Sequence, residues 1–218
     1  MVILNKYLKD ATFKNGPNGG FSGKVGSVVG SSWKGIDYIR GLPAKRKNKP
    51  GTLEKNNRNR FGFVQHWLHP FKPFYSIGFM HFSDKMTANN AAMSWNTKHG
   101  VRGEAPDFYM DYPSVLLSDG PLQQAVNPQI TASGENEFTL TWEVLYQKKA
   151  KADDDLLVIA YCPELESAYF SMGDAIRGNR KAEIKLPEQF EGMGIEVYIA
   201  FCSSDRKLAS RSQYLGQL

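Results

Sequence analysis

FTLTWEV, residues 138–144, sets Phe138, Leu140, Trp142 and Val144 against Thr139, Thr141 and Glu143. A period of two, with bulky apolar residues on one side, marks a half-buried β-strand. Further strands follow toward the C-terminus. Leu156–Tyr161 is an unbroken apolar run, as expected of a central strand. Ala182, Ile184 and Leu186 alternate with Glu183 and Lys185. Ile195, Val197, Ile199 and Phe201 alternate with Glu196, Tyr198 and Ala200. With Ser114–Leu117, Tyr169-Phe170 and Leu208–Tyr214 the count reaches about seven short strands, the number of a two-sheet sandwich. Turn residues separate them, and the region begins near Val101–Pro113.

Upstream the period changes. Leu53, Phe61, Val64, Trp67 and Leu68 fall at helical spacing after an expected cap at Thr52, and Pro70 ends the run. The aromatic stretch Phe71–Phe82 predicts a helix opened by Pro73. A third helix, capped by Ser83 or Asp84, places Ala88, Ala91, Ala92 and Trp95 on one face and stops at His99-Gly100. Before the helices stands GFSGKVGSVVGSSWKGIDYIRGLPAKRKNKPGTLEKNNRNRF, residues 20–61, dense in glycine and in positive charge. Lys24–Val29 and Ser32–Arg40 predict a hairpin turning at Gly30-Ser31, closed off by Leu42-Pro43 because proline cannot donate to a ladder. Residues 1–20 are weakly patterned and hold the loop cluster Asn15–Gly20, which predicts a flexible arm.

Two resemblances sharpen this reading. The early-strand Trp142, then Leu186-Pro187 before a Val-Tyr-Ile strand, resembles the fibronectin type III plan. The order Gly23-x-x-Gly26, Gly30, Trp33-Lys34-Gly35, Arg40-x-Leu42-Pro43, Asn59-Arg60-Phe61 resembles the opening of an uncharacterised family. That family, a domain of unknown function, is carried by Bacteroidota genomes and their phages. It implies a fold and a context and brings no activity. The expected fold class is α+β: a flexible arm over 1–20, an N-terminal β-hairpin with helices over 21–105, and an antiparallel fibronectin type III-like β-sandwich over 106–218.

The net charge of +5 hides an asymmetry: residues 1–100 hold 16 basic and 4 acidic residues, residues 101–218 hold 11 and 18. Two surfaces of opposite sign are expected. The apolar start Met1–Leu4 is too short for a signal-peptide core, and no window approaches a membrane span, so the chain is expected in the cytoplasm when made. Two cysteines, Cys162 and Cys202, make no disulfide framework or zinc site and read as buried thiols.

Motifs for chemistry fail one by one. Gly23-Lys24 lacks the upstream glycine and the following Ser or Thr of a phosphate loop, and the glycine intervals do not fit a dinucleotide fingerprint. His66 and His69 are three apart on one helix and His81 follows, but Asp84 is the nearest acid, so no metal set is complete. Asp153-Asp154-Asp155 lacks the alternation of a calcium loop and reads as a solvated turn. No nucleophile elbow occurs. The expectation is therefore a protein that is not an enzyme, with no cofactor and no metal.

What remains is a surface. Trp33, Arg40, Lys45, Arg46, Lys47, Lys49, Arg58 and Arg60 form a candidate basic partner-binding set, and Asp153, Asp154 and Asp155 a candidate acidic one. Together they predict head-to-tail association of copies and contacts to other assembly proteins. The phage-associated resemblance narrows this to a virion component: tail, neck or head decoration. The alternative is a nucleic-acid-binding protein using the basic region 40–60, with phosphate contacts from its Lys and Arg side chains.

Overall fold

The computed structural model describes residues 12–13, 16, 19–44, 47–82, 84 and 86–218. The chain divides into two compact units at Pro50–Gly51. In the first, β1 (Thr12–Phe13), β2 (Phe21–Val25), β3 (Val28–Trp33) and β4 (Ile36–Gly41) form one antiparallel sheet in chain order. Its tight turns fall at Gly26-Ser27 and Lys34-Gly35. Gly26 (φ 55°), Lys34 (φ 49°) and Gly35 (φ 81°) take the left-handed conformations that two-residue hairpin turns need. Gly30 does not turn the chain. It lies in mid-strand opposite Gly23 and Ile39, where a Cβ would run into the carbonyl and ring of Phe21. The expected hairpin is thus a meander, and Gly30 is there for close approach. The expected arm over 1–20 falls mostly outside the described residues; Thr12–Phe13 within it pairs with β2.

The second unit begins with α1 (Thr52–Trp67), in which Thr52 is the first helical residue and Gly51 holds the cap position. Its apolar stripe is buried only toward the C-terminus: Val64, Trp67 and Leu68 are buried, while Leu53 and Phe61 are exposed. α2 (Lys72–Gly78) carries Pro73 in its first turn, as expected. α3 (Ala88–Trp95) is capped by Thr87, whose Oγ1 accepts from the Asn90 N–H at 3.1 Å, in place of the expected Ser83 or Asp84. A π-turn over Asn96–Gly100 closes it, and β5 (Val101–Arg102) pairs with β6 (Tyr109–Met110).

The remaining strands are β7 (Val126–Gly134), β8 (Glu137–Glu143), β9 (Asp155–Cys162), β10 (Ser167–Ile176), β11 (Lys181–Lys185), β12 (Glu196–Cys202) and β13 (Gln213–Gln217). They make two antiparallel sheets, β11-β8-β7 and β10-β9-β12-β13. The sequence count of seven holds, but its membership changes. Ser114–Leu117 is not a strand: Leu116 N–H donates to Asn96 Oδ1 (3.0 Å) and Leu117 N–H to Ser212 Oγ (3.0 Å). Side chains satisfy that backbone where a ladder was expected. β7 was missed because Pro128 sits inside it; the strand is at a sheet edge and its pairing with β8 slips between Val126 and Gln129.

Strands β9 and β12 explain the layering. Leu156, Val158, Ala160 and Cys162 on β9, with Val197, Ile199 and Phe201 on β12, face the other sheet and join Phe138, Leu140, Trp142 and Ile184. The alternate residues, Leu157, Ile159 and Tyr161 with Tyr198, Ala200 and Cys202, pack with Val64, Phe71, Phe74 and Phe79 from the helical segments. The unit is therefore three layers, helices on sheet on sheet, sharing two cores. A domain boundary near residue 105 is corrected by this packing: the helices after residue 50 belong with the sandwich.

Two polar details complete the unit. Asp154, expected in a solvated turn, is 1% exposed and accepts from Arg177 Nε at 2.9 Å, with Arg177 equally buried. Cys162 and Cys202 are free and buried, and the antiparallel register of β9 and β12 puts them at opposite ends of the strand pair. Burial pushes the Cys202 thiol up from 9.0 to about 12.

Two outcomes are expected in thermal melts followed by circular dichroism. A fragment of residues 51–218 unfolds cooperatively, whereas residues 113–218 alone, stripped of the helical cover on β9 and β12, aggregate or lack a cooperative transition. Asp154→Ala leaves the Arg177 charge buried without its partner and costs about 3–5 kcal/mol.

Candidate partner-binding surface

Opposed residues in an antiparallel ladder point to the same side of the sheet, and residues two apart stay on that side. In the meander Lys24 opposes Val29, Val29 opposes Arg40, Ser31 opposes Tyr38, and Trp33 opposes Ile36. One face therefore carries Trp33, Ile36 and Tyr38 together with Lys24 and Arg40. Trp33 is 48% exposed, Ile36 70% and Tyr38 44%. The other face holds Phe21, Val25, Val28, Asp37 and Ile39, with Gly30 beneath the Phe21 ring. Among the described residues, strand β4 is hydrogen-bonded on one side only, to β3.

Tryptophan, tyrosine and arginine are the residues that dominate interface energetics, and here they share one exposed face. The partner-binding candidates read from the sequence include Trp33 and Arg40 but not Ile36 and Tyr38. The signal was present, since 36, 38 and 40 alternate along one strand; a register was needed to bring Trp33 onto the same side.

The other candidates separate. Lys47 and Lys49 are exposed, and Lys45 and Arg46 lie outside the described residues. Arg58 sits 3.8 Å from Glu54, one helical turn earlier. Arg60 is a correction: it donates from Nη2 to the Val101 carbonyl at 3.0 Å and ties α1 to β5. Of the acidic set, Asp153 is exposed and accepts from Ser204 Oγ at 3.2 Å. Asp155 is half-buried at the start of β9, and Asp154 is withdrawn into the core.

The second unit also has a cleft of about 110 Å³ lined by Phe63, His66, Trp67, His69, Tyr161 and Glu166. His66 Nε2 lies 3.4 Å from Glu166 Oε2, and both side chains are exposed. Burial raises the Tyr161 phenol well above its ordinary value. The space is below the range of small-molecule sites, roughly 300–1,000 Å³. Among the described residues no group of three His, Cys, Asp or Glu side chains is arranged to hold a metal ion. Nor, among those residues, is any helix long and apolar enough to cross a membrane.

Residues 20–216 match the model of a family of unknown function, DUF6266, and the chain belongs to that family. Solved fibronectin type III domains are similar to it. The fn3 domain of human contactin 1 aligns at 12% identity and a TM-score of 0.33, over 46% of this chain and 77% of that one. The FN1–FN3 domains of chicken contactin 1 align at 9% and 0.31, over 53% of this chain and 35% of that one. No curated protein matches the chain by sequence.

Gly30→Val forces a side chain into the Phe21 ring and carbonyl and strains the meander by about 1–3 kcal/mol. Limited proteolysis is expected to cut the variant within residues 20–44 faster than the parent protein. The melting of the second unit should be unchanged.

Proposed function

We propose that the protein is a non-enzymatic building block of an oligomeric assembly, and that the Trp33–Ile36–Tyr38 face of one copy docks onto a neighbouring copy. The observation that carries this reading is the exposed aromatic and aliphatic face on a small sheet. Short strands need a covered hydrophobic face for stability, and this face is open to a partner. Charge supports the choice of partner. Residues 1–50 hold 10 basic and 2 acidic residues, while residues 51–218 hold 17 and 20. The sign therefore changes at the same place as the structural division.

Contact between the basic unit of one copy and the acidic unit of the next is heterologous, and it closes into rings or extends into tubes. Lys47 and Lys49 on one side, with Asp153 and Glu164 on the other, supply exposed charge. Surface pairs contribute only about 0–1 kcal/mol each, so the apolar face carries the affinity and the charges carry orientation and rate. The narrower form of the proposal, a phage or prophage virion component, rests on the resemblance of the glycine-rich opening. A second reading has its own support: aromatic rings flanked by Lys24 and Arg40 also suit stacking with single-stranded nucleic acid.

Sedimentation velocity over a salt series, with and without single-stranded and duplex DNA, separates the two. The assembly reading expects self-association that Trp33→Ala with Ile36→Ser abolishes. Lys47→Glu with Lys49→Glu should slow it more than weaken it. A protein that stays monomeric and binds DNA with a steep salt slope overturns it in favour of the nucleic-acid reading.

A further inference from the structure

Within the second unit, the segment leading into β13 runs past the end of α3. There the Arg211 guanidinium carbon lies 4.4 Å from the centroid of the Trp95 ring. The indole is itself held in place: its Nε1 donates to the Ser114 carbonyl at 3.2 Å. The His99 ring follows one turn later, with its centroid 4.4 Å from that of Trp95. Around these side chains is a cleft of about 250 Å³, to which Arg102, Ser114 and Tyr214 also contribute.

Three features of this cleft point the same way. Arg211 is half-buried and, among the described residues, none of its guanidinium N–H groups reaches an acceptor. The lining contains two arginines and a histidine and no carboxylate. The nearby acids are already engaged: Asp111 Oδ2 accepts from Arg102 at 3.0 Å and from Ser114 Oγ at 2.7 Å, and Glu196 accepts from the Tyr214 hydroxyl. Asp111 balances Arg102, so the cation of this cleft that has no ion-pair partner among the described residues is the Arg211 guanidinium.

We propose that this cleft binds a phosphate group, with Arg211 as its principal ligand and Arg102 and His99 as supporting donors. Stacking on Trp95 fixes the plane of the Arg211 fork, so little rotamer freedom remains to be lost on binding. A guanidinium held that way presents parallel N–H groups at the spacing of two phosphate oxygens. At about 250 Å³ the cleft is also smaller than a drug-sized site, a size that suits a phosphate with one small substituent, so a phosphomonoester is the larger form of the same ligand. This site is separate from the meander face, and its existence does not depend on self-association.

The test is isothermal titration calorimetry on the full chain at constant ionic strength, with inorganic phosphate, phenyl phosphate and acetate as probes. Saturable binding of phosphate is expected, with phenyl phosphate at least as tight and acetate at least tenfold weaker. Arg211→Gln should weaken phosphate binding tenfold or more, and Arg102→Gln several-fold. A readout that needs no variant uses phenylglyoxal on the unaltered protein: phosphate should protect Arg211 from modification, as followed by peptide mass. The proposal falls if phosphate does not saturate, if acetate binds equally well, or if Arg211 is modified at the same rate with phosphate present.

Discussion

The Arg177 guanidinium is the largest fully buried side chain among the described residues, and the sandwich is arranged around keeping it satisfied. Its Nε donates to Asp154 (2.9 Å) and its Nη2 to the Gln123 carbonyl (2.7 Å). Its flat face lies 3.9 Å over the Phe201 ring. Its own carbonyl accepts from the Trp142 indole at 2.9 Å, and its N–H donates to the Asp154 carbonyl at 2.8 Å. Burial lowers the arginine's pKa while Asp154 works against that shift. A charge in such a place is costly unless every partner is present. One residue between β10 and β11 thus fixes the approach to β7, the indole of β8, the start of β9 and a ring of β12. Either sheet could slide against an apolar partner, but not against this set of directed bonds.

From that anchor the layering follows. β9 and β12 run through the middle of the second unit with both faces covered, so their side chains sort into two cores and not into core and solvent. Strands buried on both sides read as unbroken apolar runs, which is why Leu156–Tyr161 was recognisable as central. β12 was harder. Its even-numbered residues look polar because Tyr198 is among them, yet Tyr198 is fully buried and sends its hydroxyl to the Tyr112 carbonyl at 2.9 Å. The alternation there separates two apolar environments. A sequence cannot say that the second one is a layer of helices, and this is where the expected boundary near residue 105 went astray.

Other misreadings have similarly local causes. The triple aspartate looks like a solvated turn because nothing near it in the chain announces Arg177, which lies 23 positions on. Glycine was the other difficulty. Gly26 and Gly35 bend the chain and Gly30 admits a ring, and in a stretch with so many glycines the two roles look alike until the ladder is known. The helices were easier: Pro73 in a first turn and a chain stop at His99-Gly100 are signals that act over a few residues. The candidate surface was half legible, since Trp33 and Arg40 stand out in the sequence while their company depends on register.

The two units consequently differ in where their apolar residues go. In residues 51–218 even the polar anchor is enclosed, and the strands owe their register to it. In the meander Phe21 occupies the space over Gly30 on one face, where Val25 and Ile39 stay exposed, and the other face leaves Trp33, Ile36 and Tyr38 exposed together. Strands β2, β3 and β4, joined by two tight turns, hold this shape through backbone bonds and cross-strand pairs, with little core of their own. A partner that covers the open face would remove apolar surface from water without reorganising the sheet, because the two turns already set the register. It would also meet a cation at Arg40 on the same face, so an apolar patch with a carboxylate beside it would be its complement. A purely apolar partner would strand that guanidinium, and a purely acidic one would leave the indole exposed.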